Sequence, residues 1–165
     1  MVVIINIPFI WPKFLKEDSL ETQIKEILAD TLKKLNDKYS KDGYKINIDK
    51  YDSGSDLAKT NARAKEIVKS IKQYQLVVGP SLSSRSTIMQ PIFASAKIPM
   101  ISYSSTAYEL MYKPYFYRVV PCDCMNAQAI VSFIVSNLNP QKNIGILYDD
   151  DTYGLAIAVR IVKYF

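Results

Sequence analysis

LVVGPSLSSRSTIMQPIFASAKIPMISYSSTAYEL, residues 76–110, passes twice from a short apolar run into a hydroxyl-rich turn. LVVG (76–79) has no polar position, as expected of a strand covered on both faces of a parallel sheet. A Gly-Pro pair stops it, and Ser81, Ser83, Ser84 and Ser86 follow where a helix over about 85–96 should begin, bent near Pro91. PMIS (99–102) is a second such strand, and YSSTAYEL leads to a short helix at about 107–112. In an open parallel sheet the strand-to-helix turns gather at the strands' carboxyl ends, where ligands bind. Helix N-termini there present unpaired N–H groups with partial positive charge, suited to a carboxylate or phosphate. Each hydroxyl also has a local reading, because Thr106 and Glu109 are spaced as a capping box and the serines are good N-caps.

The same alternation extends along the chain. VVIINI (2–7) reads as a strand, followed by a loop, PFIWPKFLK, with two prolines. A helix is expected from Asp18, which caps it with Glu21 three residues on. Leu20, Ile24, Ile27, Leu28, Thr31, Leu35 and Tyr39 form its apolar stripe, and Gly43 ends it. YKINIDKYD (44–52) alternates as a strand, and the next helix buries Leu57, Ala64, Ile67, Val68 and Ile71. YFYRVV (115–120) is a strand, Asp123 to about Leu138 a helix, KNIGILYDD (142–150) a strand and GLAIAVRIVKYF a last helix. Strands alternating with helices at this spacing predict an α/β, doubly wound parallel sheet.

Bulk composition narrows the function. The 165 residues suffice for one domain with a real core. The formal charge of +5 is spread over helix faces rather than gathered into a stripe with aromatics, which argues against nucleic acid as a partner. There is no histidine, so the commonest general base and metal ligand are both missing. Cys122 and Cys124, two residues apart, are poorly placed to bridge each other and read as small packing side chains. No metal site or cofactor is expected. DDDTYG, with Asp149, Asp150 and Asp151, offers a metal-dependent phosphoryl-transfer reading, but neighbouring turn residues point apart and no phosphate-binding motif accompanies them. No apolar run nears the roughly 20 residues of a membrane helix. MVVIINIPFIW lacks a basic leader and reads as a strand rather than a signal peptide.

The stretch 76–110 resembles the core of type I periplasmic binding proteins, and within them the leucine/isoleucine/valine-binding branch of amino-acid ABC transporters. IDKYDSGSDLAKTNARAKEIV and YFYRVVPCDCMNAQAIVSFIVSNLNPQKNIGILYDDDTYGLAIA continue the resemblance, including an R-x-x-P-x-D turn. It covers about residues 44–165 well and 1–43 more loosely. It implies a binding protein rather than an enzyme, two lobes closing on a ligand, a membrane permease as partner, and a periplasmic or cell-surface location. The resemblance implies that Ser83, with Ser84 beside it, binds the ligand's α-carboxylate. Ser104 supplies a carbonyl for the α-ammonium, Ser105 belongs to the same loop, and Thr106 supplies an N–H and hydroxyl for the carboxylate. Tyr153 lines the cleft from the second lobe, and Trp11 lies near the ligand side chain. IPFIWPKF departs from the family's glycine-rich loop, and Arg85 replaces a small residue. On this reading residues 1–120 form the first lobe and 121–165 an incomplete second one. A shortened chain of this kind is expected to bind amino acids weakly and to have the option of dimerising through its orphan strand. The same fold also serves as a ligand-sensing receptor domain, which is the alternative function.

Overall fold

The computed structural model describes residues 2–11, 19–54, 56–138 and 143–165. Five strands form one parallel sheet in the order β2-β1-β3-β4-β5. They are β1 (Val3–Trp11), β2 (Tyr44–Asp52), β3 (Val77–Val78), β4 (Met100–Ser102) and β5 (Phe116–Arg118). The helices are α1 (Ser19–Tyr39), α2 (Leu57–Val68), α3 (Ser83–Ser95), α4 (Asp123–Asn137) and α5 (Thr152–Tyr164). β1 pairs with β2 over its whole length, from Val3 opposite Tyr44 to Trp11 opposite Asp52. The chain then crosses back so that β3 lies on the other side of β1, joined to it at Phe9 and Val78. The strand order therefore reverses between β1 and β3, and in an open parallel sheet the carboxyl ends of such a pair are where a ligand crevice is expected.

The pleat explains the two layers. Ile10 faces a core built with Ala64 and Ile67 of α2, Met89 and Phe93 of α3, and Tyr74, Val77 and Met100. Ile5 and Ile46, on the opposite face, meet Tyr39 of α1. Asn36 of α1 clamps β2 by accepting the Ile46 N–H at 2.7 Å and donating to the Ile46 carbonyl at 2.9 Å. At the rim of the main core, Asp49 accepts from Tyr74 Oη (2.9 Å) and Lys72 Nζ (2.6 Å). Burial and the hydrogen bond with Tyr51 push the Tyr74 phenol well above its ordinary value.

Several sequence expectations are corrected. The first strand does not stop at Ile7 but runs through Pro8 to Trp11, so PFIW belongs to the sheet. Pro8 is tolerated there because β1 has a ladder partner on the β3 side only at Phe9. The second helix ends at Val68, which leaves Ile71 exposed, and Leu57 faces solvent as well. In the first helix Ile27 is exposed and Thr31 uncovered, so the buried stripe runs instead through Ile24, Leu28, Leu32 and Leu35 at half-burial. Asp18 lies outside the described residues. The helix expected at 107–112 is a single 3₁₀ turn, Tyr108–Leu110, whose cap position is Ala107 without a side-chain bond; Thr106 does not cap it. Residues 143–149 join no ladder, so the strand expected over 142–150 is absent among the described residues. Its alternation is that of a strand, but among the described residues no strand pairs with it.

Beyond β5, α4 packs on α5 through Ala127, Val131 and Ile161. Cys122 Sγ accepts the Cys124 N–H at 3.2 Å and so caps α4. α5 docks back on the 3₁₀ turn, where Ala156 meets Ala107 and Leu110, and the Arg160 guanidinium lies 3.3 Å over the Tyr108 ring.

Candidate functional site

The two hydroxyl-rich turns are neighbours at the carboxyl ends of β3 and β4. Gly79 makes this possible. Its φ of +98° suits glycine, and a Cβ there would stand 2.1 Å from the Ile10 carbonyl oxygen. The close approach lets β3 turn sharply beside the end of β1. The Gly79–Pro80 peptide is cis.

Most of the hydroxyls hold the two turns together. Ser102 Oγ donates to the Pro80 carbonyl at 3.0 Å and accepts the Ser105 N–H at 3.0 Å. Ser104 Oγ donates to the Ser81 carbonyl at 2.7 Å. Ser105 Oγ lies 2.7 Å from Ser86 Oγ and 3.3 Å from the Ser81 carbonyl. With Ser86 as the donor in that pair, the Ser105 proton is left for the carbonyl. Ser83 Oγ accepts the Ala107 N–H at 3.3 Å. None of these serines caps α3, because Leu82 occupies the cap position and provides no side-chain bond. The serine cluster is first a clasp.

What the clasp leaves for a ligand follows from donor counting. Ser83 uses a lone pair on Ala107, so its own O–H remains a donor. The amides of Ser83 and Ser84 lie in the first turn of α3, where no earlier carbonyl within the helix can reach them. Ser84 is half-buried and Ser104 exposed. Thr106 is half-buried, and its carbonyl accepts the Asp123 N–H at 3.0 Å.

Trp11 does reach this end of the sheet. Its carbonyl accepts the Ser53 N–H at 2.8 Å, and its ring stands edge-on to Phe9, centroids 6.3 Å apart. Phe9 in turn stacks on Tyr103 at 5.5 Å. The sequence pattern alone does not show this aromatic wall beside the serine turns, because its two prolines put Phe9 in a loop. Tyr153 stands elsewhere: it is exposed on the first turn of α5 and lines a separate depression with Leu147, Tyr148 and Ile157. Asp151 is spent on the Gly154 N–H at 2.7 Å, which caps α5.

Two charged residues behind the turns were also missed. Arg118 Nη1 donates to the carbonyls of Ala107 (3.0 Å) and Ser105 (3.5 Å), fixing the second turn from below. Asp123 is fully buried, and its Oδ2 has no hydrogen-bond partner among the described residues. The R-x-x-P-x-D spacing carried both, but spacing alone assigns neither a partner.

Burial raises the Asp123 carboxyl above its ordinary value of 3.8; bonds from Thr106 and Asn126 and the charge of Arg118 pull it down, and Glu109 adds to the rise. The folded state therefore holds this proton more tightly than the unfolded chain. The resulting stabilisation is complete below the unfolded value and is lost as pH rises from there through the raised folded value. Asp123→Asn, which cannot ionise, is expected to gain on the wild type across that window. Denaturant midpoints between about pH 3 and about pH 7 measure it, and a gap independent of pH contradicts the assignment.

The comparisons agree on the fold. The family model described as receptor family ligand binding region matches residues 31–164. Glutamate receptor 2.2 of Arabidopsis thaliana is 29% identical over 112 residues, 67% of this chain and 12% of that protein. An ABC transporter substrate-binding protein from Desulfitobacterium hafniense, solved in complex with Leu, superposes with a TM-score of 0.73 at 24% identity, covering 98% of this chain and 47% of that one. A solute-binding protein from R. palustris, solved with 4-hydroxybenzoate, superposes with a TM-score of 0.72 at 16% identity, covering 99% and 44%. The chain thus spans about half of each solved structure and a small part of the curated relative.

Proposed function

This chain belongs to the receptor family ligand binding region, and from that premise we infer that its serine crevice binds the carboxylate of a small solute, an amino acid of the branched-chain type. The observation that carries the reading is the contact of Ser83 with Ala107, which sets two donor-rich turns against each other at the carboxyl ends of β3 and β4, next to the β1–β3 pair where strand order reverses. The O–H of Ser83 and the first-turn amides of α3 supply neutral donors for an anion. Arg118 behind the second turn favours the same sign of charge. The superposed substrate-binding protein solved with Leu favours a zwitterion over a phosphate. Residues 1–120 form the lobe that carries these groups. The role is that of the solute-binding component of an ABC-type transporter outside the cytoplasm, with a permease as partner. The receptor relative favours a second reading, a ligand-sensing domain using the same crevice.

Leucine and 4-hydroxybenzoate have only the carboxylate in common, which makes them informative probes beside leucinamide, where it is masked. A single wall of a cleft is expected to bind leucine at about 1 mM or weaker. Amide-resolved NMR titration reads this directly: leucine should move the Ser83, Ser84 and Thr106 amides, and leucinamide should not. Ser83→Ala should weaken leucine about tenfold, the loss of one hydrogen bond to a charged group. Equal responses to leucine and leucinamide, or shifts confined to other residues, would overturn the carboxylate site.

A further inference from the structure

We propose that Arg118 is a positioning residue for the ligand's carboxylate: held on the Ser105 and Ala107 carbonyls, it makes the Thr106 N–H a stronger donor through the peptide they share. The inference rests on the carboxylate reading of the crevice and names the charge that balances the anion there. Arg118 ends β5 and is half-buried. Its Nη1 donates to the Ala107 carbonyl at 3.0 Å and, at 3.5 Å, to that of Ser105. Between them the Thr106 carbonyl accepts the Asp123 N–H at 3.0 Å. Three successive carbonyls of the second turn are thus held by donors from β5 and the start of α4. These peptides are trans and planar, so each N–H points opposite to the carbonyl of its own unit. The Ala107 N–H shows where that leads, for Ser83 Oγ accepts it at 3.3 Å.

The Ser105 carbonyl and the Thr106 N–H belong to one peptide. A cation on the oxygen polarises that unit, and hydrogen bonds in such chains strengthen one another by about 10–30% each. The Asp123 N–H acts in the same way, as a neutral donor, on the Thr106–Ala107 unit and so on Ser83 Oγ. The Asp123 carboxyl does not claim the guanidinium. Its Oδ1 accepts from Asn126 at 3.4 Å, and its Oδ2 has no hydrogen-bond partner among the described residues. A guanidinium keeps its charge at any working pH, and its planar fork suits two carbonyls at once. Half-buried, that charge is screened less than it would be on the open surface. A carboxylate at the Thr106 N–H then meets a positive field with no cation in contact, whereas a neutral amide gains little from it.

Amide-resolved NMR of the full chain, as wild type, Arg118→Met and Arg118→Lys, is the test, with leucine and leucinamide as probes. Without ligand, Arg118→Met should move the Thr106 and Tyr108 amide protons upfield, as weaker donors. The Ser105 N–H, held by Ser102 Oγ at 3.0 Å, should stay in place and report that the turn is intact. Arg118→Met should weaken leucine about tenfold, most of one hydrogen bond to a charged group. Arg118→Lys keeps the charge without the fork and should lose only about threefold. Wild-type affinity in Arg118→Met, Arg118→Lys no better than Arg118→Met, or a Ser105 amide that moves with its neighbours would each overturn the proposal. If Arg118→Met does not fold, Arg118→Lys decides against wild type: unchanged affinity with an unmoved Thr106 amide overturns it. A wild type that answers leucine and leucinamide alike sinks the crevice reading and this inference with it. Discrimination kept in full by Arg118→Met sinks this inference alone.

Discussion

Gly79→Ala is expected to cost about 3 kcal/mol or more, a large share of the 5–15 kcal/mol that usually holds a domain together. Two effects combine. An alanine at φ +98° sits in a region that L-residues avoid, at a cost of about 1–3 kcal/mol. Its Cβ would also meet the Ile10 carbonyl oxygen at 2.1 Å, and that atom belongs to the buried strand β1 rather than to a side chain that can swing away. Relief requires β1 and β3 to part, which pulls Ile10 from Val77 and Met89 in the core and separates the Gly-Pro turn from the end of β1. Gly145→Ala is the matched control: nothing lies within 4 Å of its added Cβ, and its effect should stay within about 0.5 kcal/mol. Urea titration of both variants measures the difference. A Gly79→Ala protein as stable as Gly145→Ala would mean that the two strands do not meet as described.

Phe93→Ala is expected to cost about 3–5 kcal/mol, with loss of ordered structure in the serine turns before global unfolding. Phe93 is the largest of the fully buried side chains, at the centre of the cluster that joins α2, α3, β1 and β4. Interiors this tightly packed collapse only partly around a deleted ring, so a cavity term adds to the lost transfer energy. The ring also anchors α3, and α3 carries Ser83 and Ser86 against Ala107 and Ser105. Loosening the helix therefore loosens the clasp. Ile71→Ala is the contrasting change, for the sequence pattern counts Ile71 among the buried positions of a helix that in fact ends at Val68. At 97% exposure its truncation should be close to neutral. Denaturation midpoints, with amide exchange at Ser86 and Ser105, separate the two cases. Equal costs for Phe93 and Ile71 would contradict the packing.

Local pattern was enough for the order of β1 to β5 and α1 to α5, because apolar period and turn residues act over a few neighbours. LVVG and PMIS announced buried parallel strands, and the serines after them marked the turns at their carboxyl ends. Tertiary contact decided the rest. Whether Pro8 breaks a strand depends on which side of β1 has a partner, and whether NIGILY becomes a strand depends on a neighbour to pair with. The Ser86–Ser105 bond joins positions 19 residues apart, so no window of sequence distinguishes a clasp from a cap or a ligand donor. The same holds for Arg118 beneath Ala107 and for the buried carboxyl of Asp123. Their spacing was visible, but a hydrogen bond or a burial energy belongs to the pair of surfaces that meet, and only folding brings those surfaces together.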